Sequence, residues 1–164
     1  MRRGIGIDLV HIPSFQAQME QPGTQFAHVF TARERRDSGL HTQSRPSSPP
    51  PARTYASLAA RWAAKEAAVK AWSDLLFGEP PMIAPQDFSW SDVEVIRDAW
   101  HRPQLRWHGQ AAAQLEALAT QRMSRYCWSV SLSHDVDYAV AWVAVSEEDA
   151  SGPLPTHDPS FPLT

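Results

Sequence analysis

The sequence predicts an α+β domain in which a small antiparallel sheet packs on one long helix. Three observations predict it. Thr54–Gly78 is an alanine-rich run without internal Pro or Gly, and Leu58, Trp62, Val69, Trp72 and Leu76 recur in it at helical spacing. Gly4–Ile12 alternates as a strand does, with Ile5, Ile7 and Leu9 on one face and Gly4, Gly6, Asp8 and Val10 on the other. Ser124–His134 and Tyr138–Ser146 are strand-like runs joined by the tight turn Asp135-Val136-Asp137, so they should pair antiparallel.

The remaining elements follow in chain order. Pro13 can open a short helix through about Glu20. Phe26, Val29 and Phe30 form an apolar knot. Thr31–Asp37 starts a further helix, with Thr31 as N-cap and Glu34 at the capping-box position. His41–Arg53 is rich in Pro and Ser and has no periodicity, which reads as a flexible insert within one domain. Gly78, Pro80 and Pro81 stop the long helix. Asp92–Arg97 and Gln104–Trp107 form a hairpin-like pair around a turn at His101, Arg102 and Pro103. Gly109–Arg122 is a second amphipathic helix, with Ala112, Leu115, Leu118 and Ala119 on its inner face. Tyr138–Ser146 is apolar on both faces and should be the central strand. The chain from Glu147 onward, with four prolines after Gly152, reads as a disordered tail. The expected organisation is one domain over residues 1–146, carrying the insert 41–53, and a tail over 147–164.

Composition narrows the function. With 164 residues, 43% hydrophobic residues and seven Trp, a single domain with a real core is expected. A net charge of −3 speaks against a surface built for nucleic acid. The single Cys127 cannot form an internal disulfide and suits a reducing cytoplasm; its aromatic-flanked strand makes a buried structural thiol the reading over a nucleophile. No apolar run reaches the length of a membrane span, and the basic start is followed by Asp8 and not by a signal sequence's apolar core. The expected location is cytoplasmic.

The chemistry sits where polar groups interrupt apolar elements. An aspartate inside a hydrophobic strand is costly unless it is paired or binds a cation, and the glycines on the face of Asp8 admit a close approach by backbone or ligand. On the long helix Lys65 falls within the apolar stripe. Glu66 and Lys70 stand four apart on its flank, in a row with Ala59 and Ala63, whose small side chains leave room for something to approach. A solvated ion pair and a Lys stem lying on apolar surface is the plainer reading of that stretch. His134 ends a later strand. Two carboxylates from separate elements can hold a hard cation with oxygen ligands. Mg²⁺ fits best, since it keeps waters and takes further ligands from substrate phosphates. A nearby lysine would then neutralise phosphate charge. Sets of His and thiolate suited to zinc are absent, as are the GxxxxGK[ST] and GxGxxG phosphate loops.

The blocks GIGIDLVHI, FTARER, RWAAKEAAVKAW, SLSHD and YAVAWV, in this order and spacing, resemble the holo-acyl-carrier-protein synthase family of 4′-phosphopantetheinyl transferases over about residues 2–145. The resemblance implies an enzyme that moves the phosphopantetheine arm of coenzyme A to a serine of an acyl carrier protein, either free or a domain of a fatty acid synthase. It implies release of adenosine 3′,5′-bisphosphate. It places Mg²⁺ on Asp8 and Glu66, with Lys70 near the phosphates as the third catalytic residue, and puts Arg61, Lys65 and His134 in or near the coenzyme site. It also implies a homotrimer with coenzyme sites between subunits. One feature departs from the family: Ser14 stands where many members carry a basic residue that docks the acidic carrier, and Arg33, Arg35 and Arg36 are the alternative source of positive charge. Two other readings are a trimeric interaction domain of this fold without the chemistry, and a different Mg²⁺-dependent phosphotransferase.

Overall fold

The computed structural model describes residues 2–40 and 50–151. Most of the insert expected at 41–53 and most of the expected tail lie outside the described residues. Among those described, the elements are β1 (Arg3–His11), α1 (Ile12–Met19), α2 (Ala32–Asp37), α3 (Ala52–Leu75), β2 (Val93–Arg97), β3 (Pro103–Trp107), α4 (Gly109–Arg122), β4 (Ser124–Asp135) and β5 (Tyr138–Asp149), with short 3₁₀ turns at Phe26–Val29, Pro85–Asp87 and Trp90–Asp92. The fold is α+β. A three-stranded antiparallel sheet of order β1-β5-β4 lies on α3, and β2-β3 form a separate antiparallel hairpin. β5 is central, as its two apolar faces require.

Two boundaries differ from the sequence expectation. Ala52 and Arg53, assigned to the insert, form the first turn of α3, which starts directly after Pro51 because a proline is tolerated at the entry to a helix. Glu147–Asp149, assigned to the tail, continue β5. The first two are anchored across the sheet: Glu147 accepts from Ser124 Oγ at 3.1 Å, and Arg125 reaches Glu148 at 2.9 Å.

The contact between β1 and α3 sets the architecture. A Cβ at Gly6 would stand 1.9 Å from the Ala67 carbonyl oxygen, and one at Gly4 would stand 2.1 Å from that of Ala71. Glycine is therefore required on the strand, and alanine on the helix, for the two backbones to touch. This revises the reading of the alanine row: Ala59, Ala63 and Ala67 are fully buried, so the space they leave is not open to a ligand. Nor does α3 bury one stripe. Leu58, Ala60, Ala64, Ala68, Ala71 and Leu75 are buried around much of its circumference, while Trp62 and Val69 of the expected stripe are only half-buried. On α4 the inner face is Ala111, Leu115 and Leu118; Ala112 and Ala119 stand at its edge.

The other consequence of the glycine face is its opposite. Ile5, Ile7 and Leu9 point away from α3 and are more than half exposed, and Trp142 of β5, which pairs with Ile7, is 46% exposed beside them. The outer face of the sheet is thus an uncovered apolar surface.

Candidate active site

β1 carries Asp8 on the face that packs against α3. Its side chain is 13% exposed. Glu66 and Lys70, one helical turn apart on α3, meet it there. Lys70 Nζ donates to Asp8 Oδ1 at 2.7 Å and to the Ile7 carbonyl at 3.2 Å. The Glu66 carboxyl lies close enough to Asp8 to feel its charge and is pushed up to about 7. Burial is the main cause and the Asp8 charge the next, with Lys70 pulling the other way. The second oxygen of Asp8, Oδ2, is buried and has no hydrogen-bond partner. Two carboxyl groups thus lie together with one lysine beside them, and once Glu66 is ionised negative charge exceeds positive. A divalent cation in oxygen coordination would correct this, and the donor set suits Mg²⁺: hard oxygens, few enough to leave positions for water and phosphate. Among the described residues no three or more His, Cys, Asp or Glu side chains gather at one point. The pair would therefore hold a metal only together with outside ligands.

Arg61 and His134 stand elsewhere. They line a cavity of about 200 Å³ beyond the N-terminal half of α3, with Ser57, Arg97, His101 and Leu132. Arg61 is buried and donates to the Ser57 carbonyl at 3.1 Å. The cavity gathers two guanidinium groups and two imidazoles, a set suited to an anion. Arg97 and His101 were missed in the sequence, where they read as the end of a strand and a turn. The signal available was the basic run His101-Arg102 next to Pro103, with Arg97 four residues upstream. His101 has φ of 63°, in the left-handed region, where His is one of the more tolerated residues.

Lys65 must be corrected. It is fully buried and ion-paired to Glu34 at 3.0 Å. It also donates to the carbonyls of Trp90, at 3.0 Å, and Val93. Desolvation holds its pKa below the usual lysine value, opposed by Glu34. With its protons directed at protein acceptors and no exposed surface, it touches neither the acidic cluster's solvent face nor the basic cavity. Glu34 meanwhile closes the α2 capping box with Thr31 and accepts from the Val95 amide at 3.0 Å. The pair ties α2, α3 and β2 together.

The basic face expected on α2 is also reduced. Arg35 turns inward to donate to the Phe30 carbonyl at 2.6 Å and the Ala27 carbonyl at 3.3 Å, and Arg33 lies 3.9 Å from Asp37. Ser14 shares a hydrogen bond of 2.8 Å with His11 Nδ1.

Two carboxyl groups on a strand and a helix with a lysine beside them, and a separate cationic cavity, define the class: an α+β domain with oxygen donors at one place and positive charge at another. Comparison with known proteins narrows this. The chain belongs to the 4′-phosphopantetheinyl transferase superfamily, whose family model matches residues 4–143. A holo-[acyl-carrier-protein] synthase of Corynebacterium glutamicum is 44% identical over 138 residues, spanning 84% of this chain and 93% of that protein. One from Mycobacterium ulcerans is 44% identical over 144 residues, spanning 88% and 95%. Among solved structures, a Chronobacterium ammoniagenes ACPS–CoA complex superposes with a TM-score of 0.75 at 36% identity, covering 90% of this chain and 99% of that one. The acyl carrier protein synthase of Mycobacterium tuberculosis gives 0.60 at 36% identity, covering 88% and 96%.

Proposed function

We propose that this protein transfers the 4′-phosphopantetheine arm of coenzyme A to a serine of an acyl carrier protein or carrier domain, releasing adenosine 3′,5′-bisphosphate. The juxtaposition of Asp8, Glu66 and Lys70 carries this reading, supported by relatives named as holo-[acyl-carrier-protein] synthases. Asp8 and Glu66 are the residues that would hold Mg²⁺, which supplies charge neutralisation at the diphosphate when bound. Lys70, with its side chain 54% exposed, is placed to contact a phosphate oxygen while still steadying Asp8. The carrier serine attacks the phosphorus bonded to pantetheine, a general base (a water beside the pair or a free carboxylate oxygen of Asp8 or Glu66) takes the seryl proton, and the bond to the departing bisphosphate breaks. Arg61 and His134, with Arg97 and His101, would take the anionic nucleotide end of the coenzyme.

The protein would act as a homotrimer, for which the uncovered face of Ile5, Ile7, Leu9 and Trp142 is the support. Its place would be the cytoplasm, where coenzyme A and carrier proteins meet and where a lone Cys127 is at home. No helix among the described residues is long and apolar enough to cross a membrane.

The test is incubation with coenzyme A, Mg²⁺ and a panel of carrier domains, followed by weighing the products. A carrier that gains the mass of the arm on its serine is the expected result. Release of phosphate without that gain would point to a different phosphotransferase. No binding of Mg²⁺ and coenzyme A would point to a domain without chemistry.

A further inference from the structure

β1 is an edge strand, so a row of its backbone groups faces away from β5. Side chains of α3 meet that row. Asp74 Oδ2 accepts from the Ile5 amide at 2.9 Å, and Lys70 Nζ donates to the Ile7 carbonyl at 3.2 Å. Asp74 and Lys70 stand one helical turn apart, a rise of about 6 Å. Ile5 and Ile7 are separated by two strand residues, a rise of about 7 Å. The two bonds are therefore successive rungs between a strand and a helix that run in opposite senses.

Between these rungs the contact is smooth. Gly4 lies on the Ala71 carbonyl and Gly6 on that of Ala67, backbone against backbone. Such a contact brings the elements close, but it offers no side chain to stop one sliding along the other. Pairing with β5 fixes β1 within the sheet and leaves open where the sheet stands along the helix. That position sets the reach of Asp8 to Glu66 and Lys70. Lys70 cannot fix it alone, because the same ammonium bonds to Asp8 at 2.7 Å and, in the proposed reaction, to a phosphate. When it turns to the phosphate, the rung at Ile7 weakens and the one at Ile5 remains.

We infer that Asp74 is a positioning residue for arm transfer: by holding the Ile5 amide it sets where β1 stands along α3, and so the spacing of Asp8 from Glu66 and Lys70. The role rests on the reaction proposed above. Asp74 stands two helical turns beyond Glu66, about 12 Å along the axis at ~1.5 Å per residue. It therefore acts on the carboxyl pair through the strand and not by touching the substrate.

Two variants separate the bond from the charge. Asp74→Asn keeps an oxygen that can accept from the Ile5 amide and removes the charge. Asp74→Ala removes both and suits a helix. The residue is exposed, so both variants should fold, which circular dichroism checks. For each, kcat and KM for coenzyme A are measured separately, and Mg²⁺ binding is measured by calorimetry without substrate. Asp74→Ala is expected to lower kcat about tenfold, to leave KM within about twofold and to weaken Mg²⁺ about threefold or more. Asp74→Asn should stay within about twofold of the unaltered protein in all three. A bond that only stabilises the fold would lower the melting temperature of Asp74→Ala and leave kcat and Mg²⁺ affinity unchanged; that outcome overturns the assignment. Asp74→Asn as impaired as Asp74→Ala overturns it too, because the charge and not the bond would then matter. If the unaltered protein binds Mg²⁺ but transfers no arm, the transferase reading falls, and the Mg²⁺ comparison alone still decides whether Asp74 spaces the pair. An unaltered protein that neither transfers the arm nor binds Mg²⁺ overturns both.

Discussion

Asp8 and Glu66 are held in a state that folding alone leaves strained, and its sign can be measured. The Glu66 carboxyl titrates at about 7 in the folded chain against 4.5 for an unperturbed carboxyl. Between those two values the folded state holds more protons than the unfolded one, so metal-free stability falls as pH rises from about 4.5 to about 7 and levels off above. Denaturant melts at about pH 5 and about pH 8 should show that fall, and Glu66→Gln should flatten it. Added Mg²⁺ should restore stability mainly at the higher pH, where the proton it must displace is already gone. Equal slopes in Glu66→Gln and the unaltered protein would mean that the carboxylate pair does not carry the effect. Asp8→Ala and Glu66→Ala should each cut arm transfer by roughly three orders of magnitude or more, with the fold retained by circular dichroism. Transfer at the unaltered rate in either variant would remove the pair from the reaction. These residues were legible in the sequence because an acid in an apolar strand must be compensated, which picks out Asp8 without any coordinates. Lys65 was not legible. Its spacing on α3 was plain, but its partner Glu34 comes from α2, and nothing local to either residue shows that they meet.

At the scale of elements, the local signals were read well and the contacts between elements less so. The capping box at Thr31 and Glu34, the β2-β3 hairpin, the span of α4 and the central place of β5 all follow from short-range chemistry or simple periodicity. The burial of α3 around much of its circumference does not, because alanine is equally at home under a strand or in water, and only the glycines of β1 decide which. Gly6→Ala should therefore be far costlier than a surface Gly→Ala. Its Cβ would meet backbone at Ala67, and neither partner can move aside without opening the β1-α3 contact. A loss of about 3 kcal/mol in urea unfolding is expected, with a fall in transfer because Asp8 moves relative to Glu66. A loss below about 0.5 kcal/mol would show that the contact yields freely. Lys65→Met removes the partner of a fully buried carboxylate and should cost about 3–5 kcal/mol. The folded fraction, stabilised with an osmolyte, should still bind adenosine 3′,5′-bisphosphate normally, since Lys65 reaches neither cavity nor cluster. Lost binding in fully folded Lys65→Met would return that lysine to the coenzyme site.

For the whole molecule, the two halves of the proposed coenzyme site do not face each other within one chain. Glu66 follows Arg61 by five residues, which is about 140° around the helix at 3.6 residues per turn. The acidic cluster looks out past β1, whereas the Arg61–His134 cavity opens on the side of Arg97 and Pro103. In the proposed assembly a single coenzyme molecule would touch both from between copies of the chain, with the cluster from one and the cavity from the next. The sheet supplies the means of bringing copies together. Ile7 pairs with Trp142, and Ile5 and Leu9 flank Ile7 on β1, so the exposed apolar residues form one continuous patch on the face opposite α3. Charge placed in that patch should separate the copies without disturbing α3, because these side chains touch nothing in the helix layer. Ile7→Glu combined with Trp142→Glu should sediment as a folded monomer, against a trimer for the unaltered protein, and should lose arm transfer although Asp8, Glu66 and Lys70 are intact. A monomer that transfers at full rate would show that each chain holds a complete site, and the proposed assembly would then have no part in the reaction.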